Sequence, residues 1–287
     1  MDNLSLLIYT NQSYLPIAHL CAEQINENLN NFKIDKYIAS NSFNSNVNFD
    51  DLDFKLIDTN IGFSENSHHF SEVLIKSLEE IKTDYVLLFL DDYLIINKIK
   101  TDVLSNLVNV MVDEKIDYLS LTSLNYPEWG ILNINYDKYQ LPKDLLLNFN
   151  YAYFHMFSVQ PSIWKRESLI NILKHNIGVS VHDFDTTKVK NIKGETRIQE
   201  SFEYWLTPPN FWDYNYKFVC LKQTELTKCY NFDDRGLEGD YLLFLYSEII
   251  RWGKFNLNTH QNNRIFLESY LSKKNIDINN EVYKQFF

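Results

Sequence analysis

A chain of 287 residues, 45% apolar and 15% aromatic, can bury a substantial core in one domain with appended segments, and its composition excludes the low-hydrophobicity signature of disorder. Its 38 acidic against 27 basic residues leave a net charge of −11. That excludes general nucleic-acid binding, which needs clustered cations, while a single diphosphate bridged by a divalent ion stays compatible. Cys21, Cys220 and Cys229 have no paired spacing and no histidine cluster nearby, which argues against a disulfide framework or a zinc site and favours a reducing cytosol. Asp2 stands where a secretory signal would be basic, and no apolar run approaches the roughly 18 residues of a membrane span. A cytoplasmic location is expected, with peripheral contact at a membrane surface left open.

The elements follow in chain order. Residues 4–10 form an apolar run that ends in Asn11-Gln12-Ser13; Ile17, Leu20, Cys21, Gln24, Ile25 and Leu29 then recur at helical spacing. Short strands are expected at 36–40 and 54–58. Phe70, Val73, Leu74, Leu78 and Ile81 mark one face of a helix leading into the unbroken run 85–90, which suits a central strand covered on both sides and stops at Asp91-Asp92. Thr101 is placed as the N-cap of the next helix, followed by a strand at 118–122. The alternation predicts an α/β fold with a mainly parallel, twisted sheet flanked by helices.

Beyond Ser123 the pattern turns aromatic and irregular. An extended stretch is expected at 153–163, a helix at 167–174, a polar loop at 176–196, and a helix from Leu237 to the C-cap residue Gly253. The domains expected are a main one over 1–235, divided at 123/124, and a C-terminal helical extension over 236–287.

Ligand crevices of open parallel sheets lie beyond the carboxyl ends of the strands, and Asp91 and Asp92 occupy such an end. Two adjacent carboxylates there repel, and burial raises the cost further unless a cation or donors compensate. Mg²⁺ or Mn²⁺ is the natural compensator. The pair could equally terminate a strand and cap a turn, and acidic pairs also serve phosphohydrolases, nucleotidyltransferases and receiver domains. The pair alone does not choose a reaction.

The run FSEVLIKSLEEIKTDYVLLFLDDYL, residues 70–94, resembles the segment of family-2-type glycosyltransferases of the GT-A fold in which an amphipathic helix feeds a strand ending in a DDY variant of the Asp-x-Asp motif. Residues 158–166, SVQPSIWKR, are similar to that group's Q-P-x-I-W-[KR] stretch, and Glu200-Ser201-Phe202-Glu203 to its short acidic W-E-F-E motif. Residues 248–255 fit the C-terminal G-K-[WF] pattern more weakly.

The resemblance implies a GT-A-like fold and transfer of a sugar from a nucleotide-diphosphate sugar to a glycan or lipid-linked glycan acceptor, as in surface polysaccharide synthesis. It implies inversion and a Mn²⁺ or Mg²⁺ ion, with Asp92 on the metal and Asp91 toward the metal, ribose or donor sugar. Strand-end logic places the nucleotide against Thr10, Asn11 and Asp58, although Asn11 and Asp58 also suit plain turns. An inverting transfer needs a carboxylate base, and Glu200 and Glu203 are the candidates. Among the aromatic and polar residues of the second half, Trp129, His155 and Gln160 are assigned to the acceptor, while Trp164 is read as structural. The long 176–197 stretch, carrying His182, Asp183 and Asp185, departs from the group's short turn and leaves the alignment at the base open. The competing readings are a metal-dependent phosphohydrolase or nucleotidyltransferase and a non-catalytic carbohydrate-binding protein.

Overall fold

Strand β1 (Leu4–Tyr9) and its neighbour β4 (Tyr85–Leu90) are buried at five of their six positions each, because apolar residues occupy both faces and helices cover both sides. The computed structural model describes residues 3–29, 32–43, 47–62, 69–95, 98–121, 130–131, 133–141, 146–148, 161–174, 188–190, 196–198, 229–232, 246–248, 250–251, 254–255 and 269–274. In chain order, β1 is followed by α1 (Leu15–Asn28), β2 (Asp35–Ser40), β3 (Lys55–Asp58), α2 (Phe70–Glu80), β4, β5 (Tyr93–Ile95), α3 (Thr101–Asp113) and β6 (Tyr118–Ser120). Then come β7 (Gly130–Ile131), β8 (Leu146–Asn148), β9 (Ser162–Lys165), α4 (Arg166–Lys174), β10 (Lys188–Lys190), β11 (Thr196–Ile198), β12 (Cys229–Phe232) and β13 (Tyr246–Glu248).

Nine strands form one sheet in the order β3-β2-β1-β4-β9-β6-β12-β8-β7. β3, β2, β1 and β4 are mutually parallel; β9 runs antiparallel between β4 and β6, and β8 antiparallel beside β12. This is the mainly parallel, mixed α/β sheet that the alternation predicts. Succession runs outward from β1 to β2 and β3 on one side and resumes at β4 on the other. The strand order therefore reverses between β1 and β4, and the crevice of such sheets opens beyond that reversal.

The helices match their apolar periods. Ile17, Leu20, Cys21, Gln24 and Ile25 are buried along α1, whose Pro16 lies in the first turn, where a missing N–H costs no helical bond. Along α2, Val73, Leu74 and Leu78 face inward. α3 begins one residue earlier than expected: Lys100 is the N-cap and makes no side-chain capping bond, while Thr101 is already helical and its carbonyl accepts from Ser105 Oγ at 2.7 Å.

Two expectations in the second half change. Part of the stretch expected as a polar loop is an antiparallel hairpin in which Lys188–Lys190 pairs with Thr196–Ile198. Within the stretch expected as a helix, Tyr246–Glu248 is instead extended and pairs antiparallel with β5, Glu248 opposite Tyr93 and Tyr246 opposite Ile95. Tyr and Ile suit strands as well as helices, and an available main-chain partner outweighs a local helical period. Residues 269–273 are helical and dock on α1: Tyr270 and Leu271 are buried, Tyr270 Oη donates to Glu23 Oε2 at 3.3 Å, and Lys274 Nζ lies 2.6 Å from Glu27 Oε1. No helix among the described residues is long and apolar enough to cross a membrane.

Candidate active site

The strand-order reversal sets the carboxyl ends of β1 and β4 side by side, in register Tyr9↔Leu90, so Thr10 and Asp91 follow as neighbours. Thr10 is fully buried, and its Oγ1 donates to Asp91 Oδ2 at 2.5 Å. Asp91 and Asp92 form the turn between β4 and β5, both partly buried. Behind this turn, the Cys21 thiol of α1 donates to the Tyr93 carbonyl at 3.2 Å.

Electrostatics mark the turn as acidic. Removal from water pushes the Asp91 carboxyl up from 3.8 to about 7, against hydrogen bonds from Thr10 and from the main-chain N–H groups of Asp91 and Asp92. The Tyr14 hydroxyl and the Cys21 thiol are both raised, by burial first and then by the charges of Asp91 and Asp92. The Tyr9 hydroxyl is raised by burial, then by Asp91 and Glu72. Tyr14 of the one-turn helix Gln12–Tyr14 thus feels both carboxylates of the turn, and Tyr9 feels Glu72 of the first turn of α2 as well as Asp91.

A raised carboxylate has a stability signature of fixed sign. With the folded value near 7 and the ordinary value at 3.8, the contribution is complete below about 4 and is lost as pH rises through 7. In the cation-free protein, wild type should therefore lose a few kcal/mol of stability relative to Asp91→Asn from pH 4 to pH 8, at about 1.4 kcal/mol per unit. Urea unfolding across that range checks it; a flat difference would mean that Asp91 is not held out of water.

The other expected donor-side residues also sit at strand ends. Asn11 Oδ1 accepts from Ser13 N at 2.9 Å. Asp58 is exposed and accepts from Asn60 N at 2.9 Å and Phe43 N at 3.4 Å, with Asn60 in the left-handed region at φ 51°. Both side chains therefore perform the turn duties their residue types favour. Sequence reasoning missed Asn41, Tyr14 and Glu72. Asn41 is buried at the end of β2, and its Oδ1 accepts from Gln12 N at 2.8 Å, tying the β1 and β2 loops together. Its signal was its place directly after the expected strand at 36–40. Glu72 Oε1 lies 3.5 Å from His69 Nδ1, and Glu72 Oε2 is buried with no hydrogen bond among the described residues; the only signal for it was a first-turn position on an expected helix.

Trp129, His155, Gln160, Glu200 and Glu203 lie outside the described residues, as do His182, Asp183 and Asp185. Of the stretch 158–166, residues 161–166 are described: Ser162–Lys165 forms β9, with Trp164 fully buried between β4 and β6. Among the described residues no group of three or more His, Cys, Asp or Glu side chains could enclose a metal ion. The donor set of the acidic turn is one or two carboxylates. That fits Mg²⁺ or Mn²⁺, which complete their coordination with water and phosphate oxygens, and does not fit an all-protein cage.

No protein-family model and no curated protein matches the chain. Several solved structures overlap with it. S. aureus TarS 1-349 in complex with UDP-GlcNAc shares 12% identity over 99% of this chain and 71% of that one, with a TM-score of 0.44. Glucosyl-3-phosphoglycerate synthase from Mycobacterium tuberculosis, in complex with Mn²⁺, UDP-glucose and phosphoglyceric acid, shares 10% over 96% and 81%, at 0.41. The bifunctional IspDF from Campylobacter jejuni shares 14% over 61% and 44%, at 0.33. The chain spans 44% of the length of IspDF and 35% of another TarS structure. At these identities and TM-scores the overlap transfers neither fold nor chemistry, and both rest on this chain's own residues.

Proposed function

We propose that the chain is a GT-A-like glycosyltransferase that moves a sugar from a nucleotide-diphosphate sugar to a glycan or lipid-linked glycan acceptor in surface polysaccharide synthesis. The observation that carries this reading is the Asp91-Asp92 turn at the strand-order reversal, where an α/β sheet opens its ligand crevice. The order of the DDY, Q-P-x-I-W and acidic segments along the chain selects sugar transfer from among the chemistries such a turn could serve.

In this reading Asp92 holds a Mn²⁺ or Mg²⁺ ion, Asp91 lies beside the ion, the ribose or the donor sugar, and Asn11, Asp58 and Thr10 border the nucleotide. When bound, the ion neutralises charge developing on the diphosphate leaving group. Transfer is inverting, so Glu200 or Glu203 takes the acceptor hydroxyl's proton, and Trp129, His155 and Gln160 line the acceptor side. Residues 1–123 form the donor half, 124–235 the acceptor half and 236–287 a C-terminal extension.

A thermal-shift titration with nucleoside diphosphates of each base, with and without Mn²⁺, tests the reading. Stabilisation by one of them that requires metal is the expected outcome. Sugar binding that ignores metal and nucleotide would leave a carbohydrate-binding protein. Hydrolysis of simple phosphoesters would move the assignment to a phosphohydrolase or nucleotidyltransferase.

A further inference from the structure

Thr10 sits where the strand order reverses, and its hydroxyl is directed inward. The residue is fully buried at the end of β1, so water is not an alternative partner for that hydroxyl. It donates to Asp91 Oδ2 at 2.5 Å; the Asn11 carbonyl is the weaker alternative at 3.3 Å. A carboxylate turns readily about its terminal torsion, and one short hydrogen bond to a charged oxygen removes that freedom. The donor is itself stiff, because a β-branched side chain has few χ1 states available. The next residue in the same turn is Asp92, so an anchored Asp91 also limits how the turn can rearrange.

Resting on the reading of the acidic pair as a cation site, we propose that Thr10 is a positioning residue: it holds Asp91, and through the Asp91-Asp92 turn sets the geometry in which the pair meets a divalent cation. In this role Thr10 acts on the cation through a carboxylate. Sequence logic placed Thr10 at the nucleotide because it ends a strand; the bond to Asp91 adds a role that depends on the neighbouring strand.

The test uses the full chain and Mn²⁺ alone, titrated by calorimetry. Thr10→Val keeps the shape and removes the hydroxyl, and should bind Mn²⁺ on the order of tenfold more weakly, the scale of an outer-shell loss. Thr10→Ser restores the hydroxyl and should stay close to wild type. Valine binding as tightly as threonine, or serine losing as much as valine, overturns the proposal. Failure of the wild type to take up Mn²⁺ sinks the cation reading itself, and Thr10's hold on Asp91 is then judged separately. Urea unfolding of wild type, Thr10→Val, Asp91→Asn and the double variant forms the cycle. Non-additive effects keep Thr10 as the anchor of Asp91; additive effects remove it.

Discussion

Asp92→Ala is expected to abolish Mn²⁺-dependent stabilisation by nucleoside diphosphate and to lower sugar-transfer kcat/KM by at least about a hundredfold, the scale of losing a principal electrostatic contact to a developing charge. The two carboxylates of the turn are not equivalent. Asp91 spends an oxygen on Thr10 and accepts main-chain N–H groups, so much of its capacity is directed into the protein. Asp92 follows it in the turn, where Tyr14 and Cys21 feel its charge as well as that of Asp91. Removing Asp92 also removes one of two adjacent like charges, so the fold should not suffer; an unchanged or raised Tm in the absence of metal is the matching control. Asp92→Ala that still requires Mn²⁺ for nucleotide binding would show that the cation is held elsewhere.

Trp164→Ala is expected to be the most damaging single change to the fold. Trp164 is among the largest fully buried side chains and lies on β9, between Val86 of β4 and Tyr118 of β6. Its ring centroid is 4.3 Å from that of Tyr118, and its indole N–H donates to Ser162 Oγ at 2.9 Å. Truncation leaves a large void in a central sheet, which costs about 3–5 kcal/mol, or on the order of 10 °C in Tm. Trp164→Phe keeps an aromatic surface against Tyr118 and loses the indole bond, so it should cost roughly 1–2 kcal/mol more than a neutral change. Thermal unfolding of the two variants checks the order. A Trp164→Ala protein as stable as wild type would place the indole outside the core.

Much of the first half was legible because its signals are local. The run Tyr85–Leu90 is apolar at every position and short, after a helix, which suits a strand covered on both faces. The faces of α1 and α2 follow from a 3.6-residue period that burial then respects. Tyr246–Glu248 was not legible, because its neighbours satisfy a helical period while its partner strand lies about 150 residues away in the chain. Nor was the bond between Thr10 and Asp91, 81 residues apart, which depends on which strands become neighbours.

The sequence by itself determined that this is an α/β chain and that an acidic pair ends a buried strand. Apolar period and local charge suffice for such conclusions, since each concerns a residue and its near neighbours. Only the tertiary structure decided that β1 and β4 meet at the strand-order reversal. That pairing gives Thr10 to Asp91, and the separate β13–β5 ladder follows the acidic turn. Strand order is a choice among alternative main-chain pairings with similar local energies, and it is settled by long-range burial rather than by any short stretch of residues.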